Sequence, residues 1–287
     1  MPTDSNRAAR ELLAFYREAG VDAAIGDSPV DRLADEAPRR VPPGSEEPRA
    51  GNLGAPLSLT RPERSEHPAP GMGRTVAPAQ PTVAPEAAVM AAREAARSAA
   101  TLEDLRAILE RFEGCALRAT ATQLVFADGN PRARVMFVGE APGRDEDIEG
   151  LPFVGRSGKL LDRMMAAIGL DRTSAYIANI VPWRPPGNRT PTPQESAICL
   201  PFTLRQIELA DPDVLVCLGN PSTQTLLATN EGITKTRGRW FAFHTGTRGI
   251  RAIPTFHPAF LLRNPLSKRF AWRDFLAIRK ALAQAGS

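Results

Sequence analysis

The sequence predicts an α/β fold of three layers: a central four-stranded parallel sheet with helices on both faces, preceded by a helical N-terminal extension. Four short apolar runs, rich in β-branched residues, each end in a turn-rich loop and are followed by a helical pattern. A proline-rich stretch separates this alternation from the N-terminus. Beyond that stretch the composition changes to the Ala, Arg, Glu and Leu that are typical of helices.

The sequence of the N-terminal third predicts two segments that lie outside the main domain. Residues 1–36 form a helical segment, whose apolar residues close to one helix face are Leu12, Leu13, Phe15 and Tyr16. Residues 37–85 hold 11 prolines and few large apolar residues, so we expect a flexible linker that buries no core of its own. We therefore place the domain boundary near residue 86 and expect the folded domain over residues 86–287.

The alternation of strands and helices starts after a helical region that breaks near Ser98–Thr101. The predicted strands are Arg134–Gly139, Ala175–Val181, Val214–Gly219 and Ala252–Phe256. The predicted helices that follow them are Lys159–Ile168 with Ser157 as N-cap, Pro193–Ala210, Pro221–Ala228 and Ser267–Ala283. A hairpin is predicted between Thr236 and His244.

The first of these loops is unusually long and chemically mixed. It holds several glycines and prolines, the acidic residues Glu140 and Glu146, and one large apolar residue, Phe153. A connection of roughly seventeen residues with this composition is more typical of a binding or catalytic site than of a link.

The loops that follow the other three strands are also rich in turn residues, with the sequences NIVPWRPPGNR, GNPS and HPA. All four loops fall at the carboxyl ends of parallel strands, the edge where open α/β sheets bind ligands. We therefore expect one composite site at this edge.

Composition excludes several classes of protein. The sequence contains no run of about 18 apolar residues, the length that a membrane-spanning helix needs. The N-terminus lacks a signal-peptide pattern, so we expect a cytoplasmic protein. The three cysteines form no Cys-x-x-Cys pair, and the three histidines are scattered, which argues against a disulfide framework and a zinc cluster. The segment GRSGKLL lacks the first glycine and the Ser/Thr of a phosphate loop.

Charge is distributed unevenly along the chain. Residues 1–100 carry a net charge of −2, and residues 101–287 carry +6. A polyanionic partner is therefore a hypothesis for the part that holds the motifs, although charge alone favours the simpler interpretation, a solvated basic surface.

Four residues combine a functional with an ordinary structural interpretation. His257 ends a strand just before a proline, where it either caps the turn or acts in the site. Asn179 interrupts an apolar strand, so its amide either bonds to backbone or points into a pocket. Phe153 either plugs its loop or stacks on a base, and Glu146 is either solvated or positions water.

Taken together and in this order, GEAPG, PFVG, an Asn at a strand end and HPA resemble the uracil-DNA glycosylase superfamily, most closely its family 4 type. The resemblance extends from about residue 113 to the C-terminus, through GEAPGRDEDIEGLPFVGRSGKLLD, ANIVPWRPPGNR and HPAFLLRNP. It implies a uracil-DNA glycosylase-like catalytic domain over residues 86–287. The activity implied is hydrolysis of the N-glycosidic bond of flipped-out uracil in base excision repair, with uracil-containing DNA as partner.

The resemblance also implies residue roles. The uracil-binding residues would be Gly139, Glu140, Ala141, Phe153 and Asn179. The catalytic residues would be Glu146, which positions or activates water, Asn188, which supports the water or pocket, and His257, which donates to uracil O2. The sequence LLR (Leu261, Leu262, Arg263) would probe the minor groove. Apart from the resemblance, the basic residues Arg263, Lys268 and Arg269 are candidates for contacts with DNA phosphates.

One departure from the family is large. The family normally holds a 4Fe–4S cluster on four cysteines, but two of those positions here are Phe112 and Trp183, which leaves Cys115 and Cys199. Two thiols cannot replace four ligands, so we predict no cluster, no other metal, and apolar packing in its place.

Three other interpretations remain open at this point. The protein could excise another deaminated base, such as hypoxanthine or xanthine, or it could bind or trap uracil or abasic DNA without turnover. Residues 1–85 could also act as an adaptor for another protein. We expect a monomer that contacts no membrane.

Overall fold

The structure, a computed structural model, describes residues 85–284. The predictions for residues 1–84, namely the N-terminal helix and the linker, lie outside the described residues, so the domain boundary near residue 86 stays a prediction. In the described part the three-layer α/β class is confirmed. None of its helices has the length and apolar character needed to cross a bilayer.

The sheet has six strands in the order β1-β3-β2-β4-β6-β5. Their bounds are β1 Asp128–Gly129, β2 Val135–Gly139, β3 Tyr176–Asn179, β4 Val214–Leu218, β5 Phe241–His244 and β6 Gly249–Thr255. The four central strands run parallel, as predicted, and an antiparallel strand closes each edge. The sequence did not predict β1, which has only two residues, and it covered β5 only as part of the hairpin predicted between Thr236 and His244.

Ten α-helices are present in residues 85–284. Their bounds are α1 Pro85–Ser98, α2 Leu102–Arg111, α3 Leu117–Thr120, α4 Arg144–Glu149, α5 Arg156–Ala166, α6 Pro193–Ala210, α7 Asn220–Leu227, α8 Ile233–Thr236, α9 Pro258–Arg263 and α10 Lys268–Gln284. The predicted break between the first two is confirmed, with Thr101 as the N-cap of α2. Helix α6 has the predicted bounds, and its start at Thr192 is a complete capping box.

The alternation of side chains along the strands divides the core into two parts. Met136 and Val138 face a core that α1, α2 and α6 cover, whereas Val135 and Phe137 face a second core that α5 and α10 cover. All five positions of β2 are buried, as expected for a central parallel strand.

Two local predictions are wrong. Helix α5 starts at Arg156 with Gly155 as N-cap, and not after Ser157, because the loop ahead of it is anchored at Val154 and Gly155 by tertiary hydrogen bonds. The hairpin lies between β5 and β6, with its turn after His244, because residues before β5 form the short helix α8.

Candidate active site

The carboxyl ends of the central strands enclose a cavity of about 170 Å³. It is lined by Ala141, Gly143, Glu146, Phe153, Ser157, Asn179 and His257. Gly139 at the end of β2 pairs in register with Asn179 at the end of β3, and His257 follows β6 directly. The loop after β4 joins them, because a side chain at Gly219 would meet the Cβ atom of His257 at 2.9 Å. All four predicted loops therefore converge at one place.

The carboxylate of Glu146 is held rigidly by backbone groups. Its Oε2 accepts the N–H of Gly143 at 3.0 Å, and its Oε1 accepts the N–H groups of Val154 and Gly155 at 3.1 and 3.0 Å. Glu146 is buried, and it joins the start of α4 to the start of α5. These bonds use both lone pairs of Oε1 and leave one lone pair on Oε2, which can orient a water molecule.

Phe153 has a strained backbone. It adopts φ +56°, a left-handed conformation that costs a bulky residue about 1–3 kcal/mol. The guanidinium of Arg172 donates to the carbonyl oxygens of Pro152 and Phe153. On the other side, a Cβ atom at Gly158 would lie 1.6 Å from the Phe153 carbonyl oxygen, so the first turn of α5 packs directly on the loop backbone.

Asn179 presents an unpaired acceptor at the cavity. Its side chain is buried, and its Oδ1 has no hydrogen-bond partner within residues 85–284. Gly139 leaves room for it, because a Cβ atom there would lie 2.4 Å from this Oδ1 and 2.6 Å from the ring of Phe153. An unpaired buried oxygen is costly unless a ligand supplies the missing donor.

Glu140 differs from Glu146 in its surroundings. Its Oε1 is buried without a hydrogen-bond partner in the described chain, and burial raises the pKa of the carboxyl group. Its backbone carbonyl accepts the N–H of Val181, which ties the first loop to the end of β3. Of the three residues predicted to wall the pocket, Ala141 lines the cavity, whereas Gly139 and Glu140 are not among its lining residues, and their binding roles stay predictions.

His257 is the N-cap of α9, and its tautomer follows from that position. Its Nδ1 accepts the N–H of Ala259 at 3.1 Å, so the proton of the neutral ring is on Nε2. Burial, with a smaller contribution from the charge of Arg263, lowers the pKa of His257 to about 4. The imidazole lies 5.5 Å from the ring of Phe153, measured between centroids. The site therefore holds a neutral donor beside an apolar ring face.

A wider groove of about 440 Å³ adjoins the cavity and shares Gly143, Glu146 and Ser157 with it. Asn188, Leu262 and Arg263 line this groove and not the inner cavity. Asn188 is exposed, has φ +56°, and accepts from Nε of Arg184 at 2.7 Å.

The remaining predicted DNA contacts lie further away, at the start of α10. Lys268 lines a mainly apolar cleft between α5, α9 and α10, and the guanidinium of Arg269 stacks on Phe270. Of the four residues predicted to contact DNA, Leu262 and Arg263 thus line the outer groove, whereas Lys268 and Arg269 line neither the groove nor the cavity.

Sequence reasoning missed Arg172 and Ser157. Ser157 was interpreted only as a helix cap, although it lines the cavity. Arg172 lies 19 residues beyond Phe153 in an ordinary turn, and no motif marks it. Its four hydrogen bonds to Pro152, Phe153, Asp128 and Asp162 become evident only in three dimensions.

Four positions match the cluster cysteines of the family: Phe112, Cys115, Trp183 and Cys199. Together with Phe202, which packs on Phe112, they form what we call the aromatic patch. Phe112 and Phe202 pack edge to face with centroids 4.9 Å apart, and Trp183 is buried in the same core. The Sγ atoms of the two cysteines are 3.9 Å apart, at the distance of a weak hydrogen bond that Cys199 donates, and they form no disulfide. Residues 85–284 contain no group of three metal-binding side chains, and these donors do not fit a four-thiolate cluster.

Comparison with known proteins places the chain in a family. Residues 126–277 match the model of the uracil DNA glycosylase superfamily. The chain is 43% identical to a type-4 uracil-DNA glycosylase of Thermotoga maritima over 172 residues, which cover 57% of this chain and 86% of that protein. It is 38% identical to the type-4 enzyme of Archaeoglobus fulgidus, over 62% of this chain and 92% of that protein. The resemblance seen in the motifs is confirmed, and the chain belongs to the uracil-DNA glycosylase superfamily, in its type 4 branch.

Proposed function

We propose that this protein excises uracil from DNA by hydrolysing the N-glycosidic bond of a flipped-out nucleotide, leaving an abasic site. One observation carries the proposal: a neutral imidazole donor and an unpaired amide oxygen line the same small cavity at the sheet edge. The monomeric state and the cytoplasmic location remain predictions.

Recognition of the base falls to Asn179 and Phe153. The Oδ1 of Asn179 can accept from N3–H of uracil while its amide N–H group donates to O4, which satisfies the atom that is unpaired in the empty cavity. Phe153 offers a ring face for stacking. A site that hydrogen-bonds both groups rejects cytosine, which has no N3–H and carries an amino group at C4. Hypoxanthine and xanthine present the same N–H and carbonyl pair, so discrimination against these purines rests on the small size of the cavity, about 170 Å³.

His257 stabilises the leaving group. As the bond from C1′ to N1 breaks, negative charge grows on uracil O2, and an Nε2–H donor binds it more strongly in the transition state than in the ground state. Donors of this kind are worth roughly 3–4 kcal/mol. The lowered pKa keeps the ring neutral at physiological pH, and a neutral ring suffices for donation.

Glu146 acts on the water. Its three backbone hydrogen bonds fix the carboxylate at the boundary of the cavity and the outer groove, where it orients a water molecule towards the sugar. Asn188 supports this side of the groove through Arg184.

Leu262 and Arg263 meet the DNA next to the flipped nucleotide, with Lys268 and Arg269 on flanking phosphates. Flipping costs a few kcal/mol and costs least at a mismatch or in a single strand. We therefore expect faster release from U·G duplex and from single-stranded DNA than from U·A duplex.

The direct test is release of free base from matched oligonucleotides carrying uracil, hypoxanthine or xanthine, in single strands and opposite guanine or adenine. We expect turnover on uracil and none on the purines. Release of hypoxanthine or xanthine at a rate that matches or exceeds uracil release would assign another substrate. A protein–DNA adduct that survives SDS without repeated turnover would make the protein a trapping binder.

We also propose that the enzyme works without an iron–sulfur cluster, because its aromatic patch supplies apolar packing where the family has thiolate ligands. The test measures the iron content and the visible absorbance of protein that has been purified without air. We expect iron at background level. The matched control is the variant Phe112→Cys/Trp183→Cys, which restores four cysteines. About four iron atoms per wild-type chain would contradict the proposal.

A further inference from the structure

Arg172 joins the edge of the sheet to the loop that carries Phe153. Its Nε donates to Asp162 at 2.9 Å, and its Nη1 donates to Asp128 and, at 3.1 Å, to the carbonyl of Pro152. Its Nη2 donates to the carbonyl of Phe153. All three nitrogens of the guanidinium therefore donate hydrogen bonds. The side chain is mostly buried, with 26% of its surface exposed.

The two carbonyl oxygens that Arg172 binds belong to successive residues. In extended backbone, successive carbonyls point to opposite sides, so one guanidinium cannot reach both. The left-handed conformation of Phe153 turns its carbonyl and that of Pro152 towards the same donor. The fork of Arg172 therefore fits the left-handed backbone at Phe153 and not an extended one.

The backbone around Arg172 is itself fixed. A Cβ atom at Gly129 would lie 2.7 Å from the carbonyl oxygen of Arg172 and 2.2 Å from that of Ala175, so β1 packs tightly on this turn. Gly129 has φ +94°, and its neighbour Asp128 supplies the carboxylate on Nη1. The two-residue strand β1 is thus part of the support of Arg172.

We propose that Arg172 is a positioning residue for base binding: it holds Phe153 in its left-handed conformation and so sets the ring that faces the cavity. The expected effect on catalysis rests on the proposed function. The claim that Arg172 holds the backbone of Phe153 does not. Asp128 and Asp162 hold the guanidinium in the plane that meets both carbonyls.

The structural test uses fluorine NMR of protein labelled with 4-fluorophenylalanine. The Phe153 resonance is assigned by its absence in Phe153→Leu. We expect this resonance to shift or broaden in Arg172→Gln and in Arg172→Lys, since an ammonium lacks the planar fork that serves two carbonyls and two carboxylates. The matched control is Arg134→Gln, which breaks the ion pair with Asp213 at the amino end of β2 and leaves the resonance unchanged.

The lysine variant separates positioning from simple charge balance. If Arg172 only neutralised Asp128 and Asp162, lysine would restore both stability and the Phe153 resonance, and the proposal would be overturned. We expect lysine to recover stability in part while the resonance stays displaced. An unshifted resonance in folded Arg172→Gln would also overturn it.

The functional test is uracil release under single-turnover conditions. Arg172→Gln should lower kcat/KM about tenfold to a hundredfold, mainly through KM, because stacking holds the base before reaction. In a Phe153→Ala background the same substitution should add little, since both changes remove one interaction. Additive effects would mean that Arg172 acts elsewhere. If the wild type released no uracil at all, the proposed function would fail while the fluorine result still decided the role of Arg172.

Discussion

The cavity at the sheet edge and the aromatic patch differ in how well their buried groups are paired and packed. The cavity contains Asn179 and adjoins Glu140, the two residues of the described chain with an unpaired buried side-chain oxygen, and it is walled by the strained Phe153. The aromatic patch, in contrast, is made of buried rings and thiols that pack as ordinary core.

This difference separates two kinds of constraint on the sequence. Unpaired polar atoms and strained backbone reduce stability and are tolerated where a ligand completes the arrangement. A cluster site whose ligands have changed can instead be filled by apolar side chains that add packing. We therefore expect the chemistry to depend on the first region and the second region to contribute stability alone.

The strongest test of the contrast is Trp183→Ala in the aromatic patch. Removing a fully buried indole should lower the free energy of unfolding by about 3–5 kcal/mol, measured by urea denaturation, because the core collapses only partly around the gap. Uracil release per folded molecule should stay within about threefold of wild type. Trp272→Ala, which removes an indole that is 44% exposed, is the control and should cost under about 1 kcal/mol. A large loss of turnover with intact stability would make the patch part of the active site.

The reverse pattern is expected for His257→Ala in the cavity. Loss of the Nε2–H donor should lower single-turnover uracil release about 10²- to 10³-fold while affinity for uracil-containing DNA changes little. His244→Ala, at an exposed position of β5, serves as the matched control. Release at the wild-type rate would show that the imidazole has no part in the chemistry.

Asn179→Leu should separate function from stability at a single position. Uracil kcat/KM should fall about a hundredfold because the base edge loses its partner. The free energy of unfolding should stay level or rise, since the variant has no unpaired buried oxygen at position 179. A clear loss of stability would indicate that the amide already has a structural partner, and the contrast between the two regions would weaken.

The smallest expected effect concerns pH. The pKa of His257 is about 4 in the folded protein and near 6.5 in an unfolded chain, so between these values the unfolded state binds the proton and the folded state does not. Stability from this group is therefore complete above about pH 6.5 and is lost as pH falls towards 4, by on the order of 2 kcal/mol.

Denaturation of wild type and His257→Gln across this range measures that difference directly. Uracil release should also show no acid limb near pH 6.5 that depends on His257, because the folded imidazole is already neutral there. Such a limb, absent from the variant, would place the folded pKa near its ordinary value.

Sequence patterns predicted the central strands and most helices because these carry their signal locally. The run Val214–Leu218 is apolar throughout, and the capping box of α6 lies within four residues. The edge strands carry no such signal: β1 exists because its partner and Arg172 hold it. The predicted first residue of α5, Lys159, is three residues late, since the N–H groups of Val154 and of the N-cap Gly155 bind Glu146 from an earlier part of the loop.

For the site, the sequence predicted which loops meet but not how each side chain is held. The convergence of Glu146, Asn179 and His257 follows from strand order, and motif resemblance named all three. The tautomer of His257 and the left-handed turn at Phe153 depend on contacts with Ala259 and Arg172 that no periodicity records.

Gly158 has a consequence for how a base would be captured. Because the first turn of α5 touches the carbonyl of Phe153 with no room for even a methyl group, the loop and the helix can only move together. The stacking wall is therefore already in place before a nucleotide arrives, and little conformational entropy is left to lose when the base enters.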